Sequence, residues 1–554
     1  MDEERLGRYH AYTRRHGINW PLYLLARIFM TPFFYAYFRY RHKGRDYGRV
    51  KGGLIVASNH RSFLDPFAIG GALPWRRPMN YVAKVELFER RWQGWILSRL
   101  GAFPIRRGES DEESMETARR VVERGGTVCI FPEGTRIRRG TLANPKRGVG
   151  RLALQTGAPV LPTAVVGSEN VRRGWRIRPR KVQVRLGKAM TFPRVEEPSP
   201  PLAESVTARI WPNVLLQWEA MGGLPPMRRA AVIGAGSWGT AVAVLLARGG
   251  LEVQLGTRTA AQAAAMAEEG QNRRYLEGVQ MPESLRVRPA AEIELAGLDL
   301  VCLAIPSGSL PQAVGAVADR VSDRSTVLLL SKGMVPPRGQ LPAEYVGERI
   351  RARAIASLGG PAHAREAVSG SAALVLASGD PDLRDQLGEV FDRAGLVCER
   401  SDDVCGVEMA GAAKNAAALA AAATEPFGLN AAGIAAAQVW RECIAYALAR
   451  GGDLETFAGL AGVGDLTATM LAPSGRNRRA GELLGSGTPA AEIPRLIGQA
   501  SEGLDAVPLL AQAVADSGLP ADALSALAAL IAGEIDAQAW VARLRHVERA
   551  RQAA

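Results

Sequence analysis

A glycine-rich turn at residues 234–239 constrains the fold of this chain more than any other feature of its sequence. It follows an apolar, strand-like run (RAAVI, residues 229–233) and leads into a helical pattern. In the spacing G-x-G-x-x-G, Gly234 permits the tight turn, Gly236 lets the backbone approach a pyrophosphate, and Gly239 allows helix to pack closely on strand. The sequence therefore predicts a βαβ unit of the Rossmann type that binds a dinucleotide.

The next strand-like run (EVQLG, residues 252–256) bears on the choice of dinucleotide. It ends at Thr257 and Arg258, where an NAD site usually has an acidic residue for the ribose 2′-hydroxyl. Because an arginine can instead bind a 2′-phosphate, Arg258 favours NADP(H), with NAD(H) as the alternative. Further apolar runs extend this α/β domain to about residue 400, and alanine-rich segments from Val404 onward predict a helical subdomain.

The first part of the chain carries a different chemistry in the stretch NHRSFLD, residues 59–65. It follows an apolar run at 53–57, so His60 and Asp65 lie just past the end of a predicted strand. If the loop turns into a helix at Ser62, the Asp65 carboxylate can reach the imidazole, fix its tautomer and stabilise the imidazolium. A hydroxyl at the other ring nitrogen would then be activated. A simple turn with an aspartate at a helix start is the alternative.

A second loop, FPEGTR at residues 131–136, also follows a strand-like run, at 127–130. Gly134 lets the backbone approach a ligand closely, while Thr135 and Arg136 offer the hydroxyl and the forked donors that suit a phosphate. Two such loops at two strand ends predict one shared cleft.

With GAFPIR at 101–106 and APVLP at 158–162, these loops resemble, in order, the four motif blocks of the 1-acylglycerol-3-phosphate acyltransferases. The resemblance covers roughly residues 20–195. It implies that His60 is the general base on the acceptor hydroxyl and Asp65 its partner. The implied acceptor is lysophosphatidic acid, 1-acyl-sn-glycerol 3-phosphate, and the implied donor is acyl-CoA or acylated acyl carrier protein. The residues implied to hold the glycerol phosphate are Arg106, Glu133, Gly134, Thr135 and Arg136.

The second part resembles the NAD(P)-dependent glycerol-3-phosphate dehydrogenases from residue 228 to about 545. The matching pieces are GAGSWGTA (234–241), SKG (331–333), GGP (359–361), KN (414–415), GVGDL (462–466), RNRR (476–479) and EG (502–503). The resemblance implies that Lys414 is catalytic, since an ammonium can protonate the carbonyl oxygen of dihydroxyacetone phosphate as hydride arrives, with Asp465 positioning it. The implied ligands of the three-carbon phosphate substrate are Lys332, Gly360, Lys414, Asp465, Arg476 and Asn477. The implied dinucleotide ligands are Gly234, Gly236, Ser237, Trp238, Gly239, Arg258, Lys332, Ala364, Arg476, Ala500 and Glu502.

Three positions depart from the dehydrogenase pattern. Ala362 replaces the usual serine or threonine, Gly475 replaces the serine before Arg-Asn, and AQV at 437–439 stands where Thr-Arg-Gly is common. These losses predict weaker substrate binding. Two hypotheses follow: a fusion of two enzymes of glycerophospholipid synthesis, or an acyltransferase carrying a degenerate dehydrogenase-like domain that senses dinucleotide without turnover.

Charge is distributed unevenly between the two parts. Residues 1–226 contain 39 Lys and Arg against 19 Asp and Glu, a surplus of 20, whereas the remainder has 30 against 36. A basic first part favours an anionic partner such as lipid headgroups, phosphorylated substrate or coenzyme A. Nucleic acid is the rival partner, but no nucleic-acid motif accompanies the charge, and we expect none.

Residues 20–40 (WPLYLLARIFMTPFFYAYFRY) have nearly the length of a bilayer span. Arg27 is costly in hydrocarbon, and Pro32 is expected to divide the run into two short pieces. Tyrosine, tryptophan and the cations at 41–43 suit a headgroup region, so the segment is predicted to lie on an anionic membrane surface. A pair of core helices and a transmembrane helix are the alternatives.

The predicted architecture is a multidomain α/β protein. It comprises an acyltransferase domain with a membrane-associating N-terminal segment at 1–221, a linker at 222–227, a Rossmann domain at 228–403 and an all-helical substrate subdomain at 404–554. Proline- and glycine-rich stretches around a helix at 202–221 suggest an interdomain connection. The five cysteines lack metal-binding spacing and the N-terminus lacks a signal peptide, so we expect no metal and a cytoplasmic protein, peripheral on the inner face of the cell membrane.

Overall fold

The computed structural model describes residues 3–106, 111–137, 142–173, 176–223, 226–473, 475–498 and 501–544. The chain separates into two compact units, Met1–Pro226 and Met227–Ala554. Each unit has its own sheet and its own apolar core.

The first unit is built on a seven-stranded sheet. Its strands and those of a small two-stranded ribbon are β1 (Arg41–Lys43), β2 (Leu54–Ser58), β3 (Met79–Lys84), β4 (Ala102–Ile105), β5 (Thr127–Ile130), β6 (Val160–Val166), β7 (Arg172–Arg173), β8 (Arg176–Ile177) and β9 (Gln183–Leu186). The order in the sheet is β1-β9-β6-β2-β5-β3-β4, parallel except between β6 and β9, while β7 and β8 form the ribbon. Because β2 has β5 and β6 as parallel neighbours, the loops that follow these three strands meet at one edge.

Helices cover the sheet of the first unit. They are α1 (Glu3–His16), α2 (Trp20–Tyr37), α3 (Asp65–Ala72), α4 (Arg91–Arg99), α5 (Glu112–Glu123), α6 (Gly148–Thr156) and α7 (Pro200–Glu219). Helix α7 was expected to connect domains, but it belongs to the core of the first unit. Ile210, Val214 and Trp218 are buried beside α6 and β6, so the flanking prolines and glycines mark the ends of a packed helix.

The aromatic segment forms one helix, α2, and the prediction of two pieces was wrong. Asn19 caps it by accepting a hydrogen bond from the backbone N–H of Leu22 at 3.1 Å. Pro32 removes one helical hydrogen bond, that of the Ile28 carbonyl. Since Ile28 is 49% exposed, this loss occurs on a side of the helix that no core encloses, and the helix continues to Tyr37.

Arg27 ties α2 to the end of α3. Its guanidinium donates to the carbonyl of Leu73 at 2.5 Å and to that of Pro74 at 3.2 Å, and it lies 4.7 Å from the ring centre of Trp75. The charge in the middle of this apolar helix therefore binds the last carbonyls of a neighbouring helix. Within the described residues, no helix has both the length and the apolar character needed to cross a bilayer.

The second unit has an eight-stranded sheet of the predicted Rossmann type. The strands of this sheet and of a separate two-stranded sheet are β10 (Arg229–Ile233), β11 (Glu252–Thr257), β12 (Gln271–Asn272), β13 (Glu277–Gln280), β14 (Leu285–Pro289), β15 (Leu300–Leu303), β16 (Thr326–Leu329), β17 (Ala354–Gly359), β18 (Ala373–Ser378) and β19 (Val397–Ser401). The order β14-β11-β10-β15-β16-β17-β18-β19 is parallel except between β17 and β18, and β12 pairs only with β13 among the described residues.

Helices on the sheet precede a helical subdomain from Val404 onward, as predicted. Those on the sheet are α8 (Ser237–Arg248), α9 (Ala260–Glu269), α10 (Arg273–Leu276), α11 (Leu310–Val317), α12 (Pro342–Gly347), α13 (Ala364–Ser369) and α14 (Pro381–Arg393). Those of the subdomain are α15 (Val404–Thr424), α16 (Leu429–Ala449), α17 (Leu454–Ala458), α18 (Asp465–Leu471), α19 (Arg476–Gly485), α20 (Ile493–Ile497), α21 (Glu502–Asp516) and α22 (Asp522–Ala532).

Helix α15 is the centre of the subdomain and is buried along nearly all of its length. Its alanines let α19 approach closely: a β-carbon on Gly481 would lie 2.5 Å from the carbonyl oxygen of Leu419. A lysine in such a helix does not sit on a solvated face, and Lys414 is only partly exposed.

Candidate active sites

His60 and Asp65 form a hydrogen-bonded pair, as the sequence predicts. The imidazole Nδ1 lies 2.8 Å from Asp65 Oδ2, and the Asp65 side chain is fully buried. The same oxygen accepts hydrogen bonds from the backbone N–H groups of Arg61 (2.6 Å) and Ser62 (2.7 Å). The helix begins at Asp65 and not at Ser62. Because Nδ1–H donates to the carboxylate, Nε2 is the nitrogen that can accept a proton.

Two further residues hold this pair. The Ser168 hydroxyl donates to Asp65 Oδ1 at 2.6 Å, and the His60 ring stacks on Phe131 at 4.0 Å between ring centres. Sequence reasoning missed Ser168, which lies 103 positions from Asp65. The sheet order explains the contact: Ser168 follows β6, the parallel neighbour of β2.

Glu133 braces the His60 loop, and its predicted role as a phosphate ligand stays a prediction. Its carboxylate accepts from the backbone N–H of His60 at 2.6 Å and from that of Ala143 at 3.0 Å. Both oxygens are thus engaged by backbone donors. Burial raises the pKa of Glu133 to about 7.

The rest of the FPEGTR loop lies beside the pair. Gly134 has a φ of +70°, and a β-carbon there would lie 3.1 Å from the Lys146 side chain. The backbone N–H of Ile137, next to Arg136, donates to the His60 carbonyl at 2.9 Å. Thr135 is exposed and Arg136 is partly buried. Their predicted role as phosphate donors stays a prediction.

Arg106 lies farther from this loop. It follows β4, which is three strands from β2 in the sheet, a separation of about 14 Å at 4.8 Å per strand. Its guanidinium contacts Glu3 at 3.3 Å. No contact among the described residues joins Arg106 to His60, so a ligand of some length would be needed to reach both.

An apolar cavity of about 310 Å³ adjoins α3 on the side of α2. Its wall begins at Pro66, next to Asp65. Gly70 leaves space in the cavity, since a β-carbon at this position would lie 3.5 Å from the Tyr23 hydroxyl oxygen. The lining residues are Tyr23, Ala26, Arg27, Met30, Thr31, Phe34, Tyr40, Pro66, Phe67, Gly70, Gly71, Met79, Tyr81 and Leu100.

In the second unit, the glycine-rich turn has the geometry of a pyrophosphate site. Gly234 has a φ of +114°, and a β-carbon on Gly239 would lie 2.0 Å from the Gly234 carbonyl oxygen. A β-carbon on Gly236 would meet nothing within 4 Å. The turn therefore leaves open space before the N-terminus of α8, where backbone N–H groups and the helix dipole favour an anion.

Two other predicted dinucleotide ligands, Ser237 and Trp238, directly follow the second glycine of this turn. Ser237 opens α8, and the buried indole N–H of Trp238 has no hydrogen-bond partner among the described residues. Arg258 is exposed directly after β11, and Ala364 opens α13. Ala500 lies outside the described residues. The turn and its neighbours fit a nicotinamide dinucleotide.

Asn272 is a residue of this site that the sequence did not single out. It is 2% exposed, and its side-chain amide donates to the carbonyl of Ala235 at 3.0 Å and to the Thr240 hydroxyl at 2.8 Å. These two bonds fix the middle of the glycine-rich turn to the first turn of α8. An asparagine 32 residues beyond Thr240 gives no pattern from which to infer this role.

Asp465 brings the two predicted lysines together. Its carboxylate lies 2.6 Å from Lys332 Nζ and 3.3 Å from Lys414 Nζ. Lys414 also donates to the Thr469 hydroxyl at 2.9 Å, and Lys332 to the Gly360 carbonyl at 3.3 Å. Burial lowers the pKa of Lys414 to about 8, while Asp465 opposes that fall. An ammonium with this pKa can donate a proton near neutral pH.

Asn477 supports this cluster through a chain of amides. Its Nδ2 donates to Asn415 Oδ1 at 2.6 Å, and Asn415 donates to the Lys332 carbonyl at 2.7 Å. Its own oxygen accepts from the Ser501 hydroxyl at 2.8 Å. An amide nitrogen carries two hydrogens, so Asn477 retains one N–H for the predicted contact with substrate.

Glu502 opens α21 close to the cationic groups of the cluster. Burial raises its pKa, and the charges of Arg476, Lys414 and Lys332 act in the opposite direction. The structure thus gathers Lys332, Lys414, Asp465 and Glu502 around one position, with Arg476 at the start of α19.

These sites define a chain with an acyltransferase domain followed by a two-part dinucleotide-dependent dehydrogenase. Residues 39–166 match the family described as acyltransferase. Residues 229–383 and 403–542 match the N-terminal and C-terminal parts of NAD-dependent glycerol-3-phosphate dehydrogenase.

Relatives of known name agree with the second match. The glycerol-3-phosphate dehydrogenase [NAD(P)+] of Chlorobium limicola is 35% identical over 280 residues, covering 50% of this chain and 84% of the relative. That of Deinococcus radiodurans is 36% identical over 306 residues, covering 55% and 90%. A glycerol-3-phosphate dehydrogenase structure from Coxiella burnetii covers 58% of this chain and 99% of its own, with a TM-score of 0.53 and 28% identity.

The chain belongs to the NAD-dependent glycerol-3-phosphate dehydrogenase family, and an acyltransferase domain precedes the dehydrogenase. Both predicted resemblances and the predicted fold class are confirmed, as is a nicotinamide dinucleotide, NAD(P)H, as the cofactor. The preference for NADP(H) over NAD(H) stays a prediction.

Proposed function

We propose that this protein performs two reactions of glycerophospholipid synthesis. The second unit reduces dihydroxyacetone phosphate to sn-glycerol 3-phosphate with NADPH or NADH. The first unit transfers an acyl group from coenzyme A or acyl carrier protein to 1-acyl-sn-glycerol 3-phosphate. Since the product of the reduction must be acylated once before it becomes this acceptor, the two reactions are not consecutive.

The cluster around Asp465 carries the proposal for the dehydrogenase. A bound NAD(P)H supplies the hydride. Lys414 holds a proton beside the position where the carbonyl oxygen gains charge, and Asp465 keeps that ammonium oriented at 3.3 Å. Lys332 and Arg476 supply the cations for the phosphate, and the remaining N–H of Asn477 is free to help orient it.

The His60–Asp65 pair carries the proposal for acyl transfer. Nε2 of His60 takes the proton of the acceptor hydroxyl, and the oxygen attacks the thioester carbonyl. The carbon–sulfur bond then breaks, and the thiolate leaves with the proton. Asp65, held by Ser168, stabilises the imidazolium between these steps. Thr135 and Arg136 are placed to bind the acceptor phosphate.

The apolar cavity beside α3 supports a fatty acyl substrate. It begins next to Asp65, and its volume of about 310 Å³ lies at the lower end of ligand sites in proteins. Aliphatic and aromatic side chains line it, with Arg27 tied to backbone carbonyls at one side. A chain of methylenes can fill this space.

The exposed side of α2 supports peripheral association with a membrane. Leu25, Ile28, Phe29 and Phe33 are between 46% and 71% exposed. Apolar side chains on one helix beside cationic residues suit the boundary of an anionic bilayer, where an acylated acceptor is found.

The departures at Ala362 and Gly475 favour one alternative, a domain that binds dinucleotide without turnover. Gly475 is the N-cap of α19 and offers no side-chain acceptor to its first turn. Against this alternative, the geometry of Lys414, Asp465 and Asn477 is intact.

Two assays on the full chain test the proposal. NADPH oxidation with dihydroxyacetone phosphate reports the second unit, and acyl transfer to 1-acyl-sn-glycerol 3-phosphate reports the first. His60→Ala should lower acyl transfer by about 10²- to 10⁴-fold and leave NADPH oxidation unchanged, and Lys414→Ala should do the reverse. Acyl transfer within a factor of two of wild type in His60→Ala would refute the assignment of His60. NADPH binding without oxidation at saturating substrate would favour the sensor.

A further inference from the structure

A second aromatic surface lies on α4. Trp92, Trp95 and Ile96 have the i, i+3, i+4 spacing that places side chains on one helix face, and they are 62%, 51% and 38% exposed. We call these three residues the α4 face. The α4 face has no role in the proposed chemistry of His60–Asp65 or Lys414–Asp465, and it lies outside the aromatic segment at 20–40.

The opposite side of α4 is firmly packed, so the exposure of the α4 face is a fixed property of the fold. Gly94 is buried, and a β-carbon there would lie 2.5 Å from the Tyr9 hydroxyl of α1. Ser98 is also buried. The helix therefore presents its tryptophans outward while its other side is fixed on α1.

Hydrogen bonding joins α4 to α2. The backbone N–H of Asn19, the cap of α2, donates to the carbonyl of Arg99 at 2.9 Å. The Arg99 guanidinium lies 4.4 Å from the ring centre of Trp95 and 4.4 Å from that of Tyr12. The start of α2 and the end of α4 thus form one continuous piece of surface.

Within the described residues, the exposed tryptophans all belong to the first unit. Among the described residues they are Trp20, Trp75, Trp92 and Trp95, at exposures between 40% and 62%. Trp20 opens α2, and Trp75 contacts Arg27 of α2. Indole rings at an aqueous surface favour a lipid headgroup region, because they bury an apolar ring while keeping an N–H near water.

Local charge selects an anionic surface. Residues 84–99 contain four Lys and Arg against two Glu, and Arg90 and Arg91 are both exposed. Glu86 and Glu89 are also exposed, so the local surplus is only two, and it forms part of the surplus of 20 in residues 1–226.

We propose that the α4 face is a second membrane contact, which lies in the headgroup region of an anionic bilayer together with α2. The proposal rests on the proposed function, whose acylated acceptor resides in a membrane. Two contacts joined at Asn19 would fix the orientation of the first unit on the bilayer, whereas one helix would leave it free to roll about that helix.

Vesicle flotation of the full-length protein tests this proposal. The probe is vesicles of phosphatidylglycerol and phosphatidylcholine in equal parts. Trp92→Ala with Trp95→Ala should weaken binding about tenfold or more, and Trp92→Phe with Trp95→Phe should restore part of the affinity. The matched control is Leu429→Ala with Leu448→Ala, which removes exposed apolar side chains from the second unit and should leave binding unchanged.

A second measurement does not depend on the alanine variant folding. Brominated phosphatidylcholine in the same vesicles should quench more of the tryptophan fluorescence in the wild type than in Trp92→Phe with Trp95→Phe. Equal fractional quenching, or unchanged affinity of both α4 variants while Phe29→Gln weakens binding, overturns the α4 contact and leaves that of α2 standing.

Two other outcomes also overturn the proposal. A wild-type protein that does not bind the vesicles removes the α4 contact together with the proposed membrane association. A wild-type dimer that becomes monomeric in the α4 variants, with vesicle binding unchanged, assigns the α4 face to an interface between copies of this chain.

Discussion

Replacing Asp465 with asparagine should shift the pH dependence of dihydroxyacetone phosphate reduction to lower pH. Burial lowers the pKa of Lys414 to about 8, and the negative charge of Asp465 raises it against that effect. Asp465→Asn keeps the size of the side chain but removes the charge. The pKa of Lys414 should therefore fall, and the protonated form that reduction requires should be lost at lower pH.

The magnitude follows from the distance between the charges. At 3.3 Å and an effective dielectric constant of about 20, the attraction of Lys414 to Asp465 is about 5 kcal/mol, which corresponds to between about 3 and 4 pKa units. Lys332 shares the carboxylate at 2.6 Å, and water can relax the variant, so the expected fall is about one unit or more. At pH 7.5, a fall from about 8 to about 7 lowers the protonated fraction from about three quarters to about one quarter.

The assay is kcat/KM for NADPH oxidation between pH 6 and pH 10, with the reverse oxidation of sn-glycerol 3-phosphate measured in parallel. In wild type, reduction should decline as pH rises through about 8, and the reverse reaction, which needs the neutral amine, should increase over the same range. Lys414→Arg is the control, since arginine stays charged over this pH range. This variant should reduce dihydroxyacetone phosphate much more slowly, and its rate should show no alkaline decline. An alkaline decline at the same pH in Asp465→Asn and wild type would refute Lys414 as the proton donor.

Three further predictions concern the second unit. Arg258→Asp should raise the Kd of NADPH more than that of NADH, because it replaces the predicted partner of the 2′-phosphate with a repelling charge. Fluorescence titration measures both Kd values, and equal effects on the two would refute that role. Ala362→Ser with Gly475→Ser should lower the KM for dihydroxyacetone phosphate by about tenfold or more with kcat largely kept, since each hydroxyl can donate to a charged group; an unchanged KM would contradict this. Asn272→Ala should weaken dinucleotide binding about tenfold with little change in the alkaline decline of kcat, and unchanged affinity would show that the turn needs no such support.

Local patterns in the sequence predicted the parts of the fold that depend on short segments. The strand, turn and helix at 229–248 agree with β10 and α8 because apolar runs and glycine spacing act over a few residues. The contact between His60 and Asp65 was predictable for the same reason, since five positions separate them.

Contacts between distant segments were not predictable in this way. Ser168 reaches Asp65 only because β6 lies next to β2, and Thr469 reaches Lys414 only because α18 packs on α15. The hydrogen bonds of Glu133 to the backbone N–H groups of His60 and Ala143 were likewise not predictable, since the first joins two loops that are distant in the sequence. The continuity of α2 through Pro32 was not predictable either, since it depends on the side of the helix on which the Ile28 carbonyl loses its hydrogen bond.

The bond between Arg27 and the end of α3 has a mechanical consequence. Helix α3 has eight residues and is about 12 Å long. Asp65 is its first residue, and Leu73, whose carbonyl accepts from Arg27, follows its last residue. Helix α3 is therefore a short, stiff connection between α2 and the His60–Asp65 pair. We expect a displacement of α2 to be transmitted along α3 to the carboxylate that is bonded to His60, so the geometry of that pair should depend on how firmly α2 is held.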